Sequence, residues 1–170
     1  MHLNSLLHQP DLPAYTDYSM NGRTYRYMQK APMYPFGFGL TYGKFVYSNI
    51  SLNKKSIHNN ESVQVSATVA NQGSIASDEV VQLYISAPQQ NYLTPLYALK
   101  GFQRISLKPN ESKTLSFTIK PDELQIINEN GDAVIPNGEY KIYIGGSSPV
   151  ARSEELGAPA LVATSIVIKD

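Results

Sequence analysis

The chain has 170 residues, 42% of them hydrophobic and 16% charged, which is the composition of a folded globular domain rather than a disordered segment. Fourteen basic and fourteen acidic side chains leave no formal net charge, and this argues against nucleic acid or an anionic membrane as the main partner, because both require clustered positive charge. The absence of cysteine excludes disulfides, thiolate metal sites and thiol catalysis but leaves the cellular compartment open.

The N-terminal part of the chain is rich in aromatic side chains. Ten of the seventeen aromatic residues lie between Tyr15 and Tyr47, in a stretch that also contains Pro32, Pro35 and several glycines. Proline and glycine at this frequency argue against a long helix or a regular strand. Because loose aromatic surface is unfavourable in water, this extended segment is predicted to lie against another surface.

From about Phe45 onward, apolar and polar residues alternate and are interrupted by turn residues. This period of two predicts strands that each have one apolar face. Seven strands are predicted: Phe45–Leu52, Val63–Val69, Val81–Ile85, Leu99–Leu107, Leu115–Ile119, Tyr140–Ile144 and Leu161–Ile168.

Seven short strands separated by turn signals are typical of an all-β, immunoglobulin-like or fibronectin-III-like sandwich of antiparallel strands. No long amphipathic helix competes with this prediction, and at most a helical turn is expected near Pro121–Ile127. Within Asn128–Asp132, the pair Asn130-Gly131 predicts a hairpin turn in which both residues supply a positive φ.

The polar residues do not form a recognisable catalytic or metal site. His2, His8 and His58 lack metal-site spacing and are expected to be exposed. Glycoside hydrolysis requires two carboxyl groups facing each other across a cleft, whereas neighbours on a strand point to opposite faces. The adjacent carboxylates are therefore expected at turns and strand entries; they are Asp78-Glu79, Asp122-Glu123 and Glu154-Glu155.

Other motifs are equally incomplete. Gly37-Phe38-Gly39 lacks the third glycine of a dinucleotide fingerprint, and no G-x-S-x-G sequence marks a serine hydrolase. The remaining candidates for a calcium site have no D-x-[DN]-x-[DN]-G loop; they are Asp11, Asp17, Asp78 and Asp132. The sequence thus predicts no catalytic, no cofactor-binding and no metal-binding residue. Tyrosine rings can stack on sugars, but packing against a neighbouring domain is the favoured role for the aromatic segment.

Two motifs carry a family resemblance. Gly22–Tyr27 reads GRTYRY and Tyr34–Tyr42 reads YPFGFGLTY, and both resemble segments of the family 3 glycoside hydrolases, the β-glucosidase and β-xylosidase group. The resemblance covers roughly Leu12 to Pro149. It continues through Glu79–Tyr84, Leu99–Phe102 with Arg104, Lys108–Ser112, and Asn137–Tyr140 with Gly145-Gly146.

The resemblance implies a fibronectin type III-like domain at residues 44–170 and, at residues 1–43, the connector from an absent catalytic part. In the family, the aspartate nucleophile and the acid/base lie on upstream domains, so no catalytic residue can be carried over and no cofactor is implied. Two departures are Asn110 in place of the usual glycine and Thr41 in place of serine, and both are expected to be tolerated.

The expected function is that of a non-catalytic accessory domain. It would stabilise the catalytic domains of a retaining β-glucosidase or β-xylosidase and could border the substrate entrance; the parent is expected to be periplasmic or secreted. Two alternatives stay open, a stand-alone carbohydrate-binding module for β-linked sugars and a protein-interaction domain. The chain is expected to be a fragment or a truncated reading frame, with residues 1–43 poorly ordered or packed on the sandwich because their partner is missing.

Overall fold

The computed structural model describes residues 14–170, so the predictions for His2, His8 and Asp11 lie outside the described part of the chain. The elements, in chain order, are α1 (Thr24–Tyr27), β1 (Phe45–Leu52), β2 (Ser56–His58), β3 (Val63–Asn71), β4 (Ser77–Ser86), β5 (Ala98–Leu107), β6 (Ser112–Ile119), α2 (Pro121–Leu124), β7 (Ile126–Ile127), β8 (Ala133–Val134), β9 (Gly138–Gly145), α3 (Ala151–Glu155) and β10 (Val162–Lys169).

The strands form two packed sheets and one small hairpin. The first sheet has the order β1-β3-β6 and the second has the order β2-β10-β9-β4-β5, while β7 and β8 pair with each other. All seven predicted strands are present, as β1, β3, β4, β5, β6, β9 and β10. The prediction of an all-β sandwich is therefore confirmed.

The core lies between the two sheets and follows the alternation of the sequence. β3 and β9 occupy the centres of their sheets, and the inward residues of both are almost fully buried. Burying one such aliphatic side chain contributes about 1.5–3 kcal/mol. The inward residues of these two strands are Val63, Val65, Ala67 and Val69, and Tyr140, Ile142 and Ile144.

One strand pairing departs from the expected pattern. β2 was not predicted, and it pairs in parallel with the end of β10 (Ser56 opposite Val167), so the second sheet is mixed rather than wholly antiparallel. β2 has only three residues and buries only Ile57. A strand this short has too few positions to display a period of two.

The turns agree with most of the sequence-based expectations. Gly131 has a positive φ, but Asn130 does not, so the predicted conformation is right for one residue and wrong for the other. The Asn128 side chain instead shapes this loop, because its Oδ1 accepts the N–H groups of Asn130 and Asp132. Asn110 has a φ of +61°, a conformation that glycine and asparagine adopt most easily.

The helical content is confined to short turns. α2 occupies the position near Pro121–Ile127 where a turn was expected. Among residues 14–170, no helix has the length and apolarity needed to cross a membrane.

Candidate functional site

The described part of the connector, residues 14–43, packs on the outer face of the five-stranded sheet through a cluster of four rings. Tyr25 stacks on Phe36 with ring centroids 3.9 Å apart and planes 8° from parallel. Tyr97, the residue before β5, lies 6.1 Å from Tyr25 and meets Tyr84 edge to face at 6.1 Å. These contacts provide the surface that the aromatic segment was predicted to require.

Hydrogen bonds fix the backbone of the connector to the sheet. The Ser148 N–H donates to the Phe36 carbonyl at 2.9 Å, and the Leu96 N–H donates to the Arg26 carbonyl at 2.7 Å. The Leu99 N–H donates to the Tyr25 hydroxyl at 3.2 Å. The connector is thus held at several separate points along its length.

Gln82 is a side chain of the sandwich that hydrogen-bonds to the connector. Its Nε2 donates to the carbonyl of Gly37 at 3.0 Å and to that of Gly146 at 2.6 Å. Its Oε1 accepts the Tyr84 hydroxyl at 2.6 Å. Both side chains point to the outer face of β4, yet Gln82 is 5% exposed and Tyr84 is 0% exposed. The strand pattern alone assigns both residues to a solvent-facing side, so their burial was missed.

The remainder of the connector presents apolar side chains to solvent. Leu40 is 92% exposed and Tyr42 is 93% exposed. Leu40 lines a cleft together with Val80 of β4, which is 40% exposed. On the same outer face, Phe102 of β5 lies diagonally across from Val80 and is 67% exposed. We call these four residues, Leu40, Tyr42, Val80 and Phe102, the outer apolar patch.

The carboxylates of Asp78 and Glu79 occupy opposite sides of β4, as predicted for neighbours on a strand. Asp78 receives two hydrogen bonds from Arg104, at 2.6 and 3.0 Å, and this interaction lowers the pKa of Asp78. Glu79 is 8% exposed. Burial raises the pKa of Glu79, and the Val80 N–H and the Tyr47 hydroxyl oppose that increase.

The Glu79 carboxylate lies beside the buried phenol of Tyr47. Burial first, and then the neighbouring Glu79, raise the pKa of Tyr47. A cleft of about 160 Å³ between the connector and β4 reaches Asp78 and Glu79. Glu79 lies near the start of β4, as the sequence predicts, but its burial was missed, although it faces the same side of the strand as the core residues Val81 and Leu83.

The other sequence candidates do not converge. His58 is exposed, and its Nδ1 lies 2.9 Å from the Asp170 carbonyl. Asp17 pairs with Arg23, and Asp132 belongs to the β7–β8 turn. The pairs Asp122-Glu123 and Glu154-Glu155 lie in α2 and α3. Within residues 14–170, no three His, Cys, Asp or Glu side chains are grouped so that they could hold a metal ion.

Comparison with known proteins identifies the domain. A family model for the fibronectin type III-like domain matches residues 79–148. A β-xylosidase from Formosa agariphila is 44% identical over 73% of this chain, which corresponds to 17% of that protein. Thermostable β-glucosidase B from Acetivibrio thermocellus is 41% identical over 69% of this chain and 16% of that protein. The chain spans about one sixth of these two relatives.

Solved structures show the same relationship. A β-glucosidase from Erythrobacter marinus superposes with a TM-score of 0.71 and 29% identity, over 85% of this chain and 18% of that one. A family 3 β-glucosidase from Bifidobacterium adolescentis gives a TM-score of 0.68 and 29% identity, over 84% of this chain and 20% of that one. The chain therefore contains a fibronectin type III-like domain and is homologous to the C-terminal region of the family 3 β-glucosidases and β-xylosidases.

Proposed function

We propose that this chain is a non-catalytic accessory domain that docks onto and stabilises the catalytic domains of a longer β-glycosidase. The parent activity would be retaining hydrolysis of β-glucosides or β-xylosides. The observation that carries the proposal is the outer apolar patch, which is formed by the end of the connector and by the outer face of β4 and β5, and the connector is hydrogen-bonded to the sheet. The connector and the sandwich together, residues 1–43 and 44–170, would form the docking unit.

The outer apolar patch is not explained by packing within the described chain. The inner half of the connector buries its rings against Tyr84 and Tyr97, whereas Leu40 and Tyr42 are almost fully exposed. Large apolar side chains exposed on one part of a folded domain often mark an interaction site. The relatives are about six times longer than the matched segment, so the most direct partner is the rest of such a chain.

The environment of the carboxylates supports a role without catalysis. The Asp78 carboxylate is held in an ion pair with Arg104. Glu79 is on the buried side of β4, next to Tyr47. A retaining glycosidase requires two carboxyl groups about 5 Å apart on either side of a bound sugar, and these two side chains are committed to other interactions.

A chimera tests the docking proposal. The β-xylosidase relative would be truncated at its matching segment and compared with a fusion in which this chain replaces that segment. We expect truncation to lower the melting temperature and the fusion to restore it. Fusions carrying Leu40→Ser and Phe102→Ser should fail to restore it. Val167, which is 38% exposed on β10, provides the control, because Val167→Ser alters an exposed apolar residue elsewhere on the sheet.

The melting temperatures of the fusions with an altered patch decide whether the docking proposal holds. If the fusion with the altered patch is as stable as the unaltered fusion, the outer apolar patch is not the docking surface. A separate assay addresses catalysis: the isolated chain should not hydrolyse aryl β-glucosides or aryl β-xylosides. Sustained turnover by the purified chain would overturn the non-catalytic assignment.

A further inference from the structure

A second surface feature lies at the opposite end of β4 from Asp78 and Glu79. Residues 87–97 connect β4 to β5, and this connection is far longer than the roughly two to five residues of a usual hairpin loop. This loop and the connector around Asn21–Gln29 form the walls of an open cleft of about 340 Å³. Ligand-binding pockets typically begin at about 300 Å³. We call this feature the amide cleft.

The amide cleft has an unusual lining. None of the residues that line it carries a charge. Five of them are primary amides, namely Asn21, Gln29, Gln89, Gln90 and Asn91. Each primary amide provides two N–H donors and a carbonyl acceptor, so the lining can satisfy a ligand that both donates and accepts hydrogen bonds.

Two tyrosines complete the lining. Tyr27 comes from the connector and Tyr92 from the loop, and both are half-buried. A phenol ring offers an apolar face together with a polar edge. This combination matches a sugar ring, which has C–H groups on its faces and hydroxyl groups around its edge.

Part of the amide lining is available for a ligand. The Gln89 Oε1 accepts the Thr94 hydroxyl at 3.0 Å, and the Gln90 Nε2 donates to the Pro88 carbonyl at 3.1 Å. By contrast, the side-chain amides of Asn21, Gln29 and Asn91 make no hydrogen bond within residues 14–170, where Asn21 bonds only through its backbone N–H. The cleft therefore combines amides that fix its shape with amides that are free to bind.

The loop that carries the cleft is anchored at its C-terminal end. Thr94 is 5% exposed and Tyr97 is 9% exposed. The Leu96 N–H donates to the Arg26 carbonyl at 2.7 Å. An anchored site loses less conformational entropy on binding than a free loop does.

We propose that the amide cleft binds a short neutral oligosaccharide. An anionic or cationic ligand would find no counter-charge among the lining residues. A mainly apolar ligand would leave the free amides of Asn21, Gln29 and Asn91 without partners, which is unfavourable. A neutral polyhydroxylated ligand satisfies both conditions. This proposal does not rest on docking to a catalytic part, because the cleft belongs to this chain alone.

Binding can be measured on the 170-residue chain itself. Xylotetraose and cellotetraose would each be titrated into the isotopically labelled chain, with amide chemical shifts recorded by NMR. We expect saturable shifts in the backbone and side-chain amides of residues 21–29 and 89–94. If neither sugar produces shifts at millimolar concentration, or if the shifts map to Tyr34–Tyr42 instead, the proposal is overturned.

Two variants test which side chains of the amide cleft contribute to the affinity for the sugar. Tyr92→Ala should weaken binding about tenfold, the change expected for the loss of one aromatic contact and its hydrogen bonds. Gln29→Ala, which alters an exposed and unpaired amide, should weaken it while leaving the fold intact. Tyr42→Ala is the matched control, because Tyr42 is a 93% exposed tyrosine outside the cleft. Equal affinity for all three variants would refute the assigned site even if Tyr92→Ala perturbed the loop.

Discussion

Replacing Gly37 with alanine should release the connector from the outer face of the five-stranded sheet. Gly37 has a φ of +76°, and a Cβ atom placed there would lie 2.1 Å from Gln82 Oε1 and 2.8 Å from the Tyr84 hydroxyl. Both distances are far below van der Waals contact. An alanine at this position therefore faces backbone strain and a clash with the residue that joins the two parts.

The expected loss can be worked out from these two effects. A left-handed backbone conformation costs an alanine about 1–2 kcal/mol. If Gln82 moves, its bonds to the Gly37 and Gly146 carbonyls and to Tyr84 break, and each buried polar group left unpaired costs about 1–3 kcal/mol. With one buried group left unpaired, the sum is roughly 2–5 kcal/mol, and further unpaired groups would raise it. The loss cannot exceed the free energy with which the connector docks, since the connector can detach instead.

Hydrogen exchange is the most direct assay. In Gly37→Ala, the amides of Ser148 and Leu96 should lose protection, because both donate to connector carbonyls, while core amides of β3 should keep theirs. Gly39→Ala is the matched control, since no atom lies within 4 Å of a Cβ at Gly39 and its φ is not in the left-handed region. Equal protection and equal urea midpoints in the two variants would refute the reasoning.

Three further changes test other parts of the fold. Asn110→Gly should leave the free energy of unfolding unchanged while Asn110→Ala lowers it by about 1 kcal/mol, because the position requires a positive φ; urea denaturation compares them. Burial raises the pKa of Glu79, so ionisation of this carboxyl lowers the free energy of unfolding. The loss is absent below the unfolded pKa, where the carboxyl is protonated in both states, and it develops as the pH rises through the folded pKa. Glu79→Gln should therefore match the wild type at about pH 4 and exceed its stability at about pH 8, and a constant difference would contradict this. Asn71 is fully buried, and its Nδ2 donates to the Ile75 and Leu107 carbonyls. Asn71→Leu should cost roughly 2–5 kcal/mol in chemical denaturation, and a neutral result would show that water replaces the amide.

The strand pattern predicts the sandwich well because each long strand has one face in the core. Val63 to Val69 alternate with polar residues, and β3 shows that alternation directly. Local pattern is sufficient there because the sheet faces water on one side only. β2 escapes prediction because its partner strand lies about a hundred residues later in the sequence and only Ile57 is buried.

The candidate sites were less predictable because they depend on contacts between distant segments. Gln82 and Tyr84 occupy positions that alternation assigns to solvent, and they are buried only because the connector crosses them. The rings of the connector indicated that some surface must receive it, but not which strand. The amide cleft was missed for the same reason, since Tyr27 and Tyr92 are 65 residues apart and line one cleft only in the folded chain.

The attachment of the connector through Gln82 has a thermodynamic consequence. Residues 38–42 directly follow two residues whose carbonyls are hydrogen-bonded to the sandwich. The Gly37 carbonyl accepts from Gln82 of β4, and the Phe36 carbonyl accepts from Ser148 in the turn after β9. A molecule that binds residues 38–42 therefore binds a segment that is fixed to the sandwich. Such a molecule binds the folded sandwich and not the unfolded chain, so its binding free energy adds to the stability of the whole domain. An enzyme built this way should lose its accessory domain and its connector in one cooperative calorimetric transition, with no stage at which the two separate.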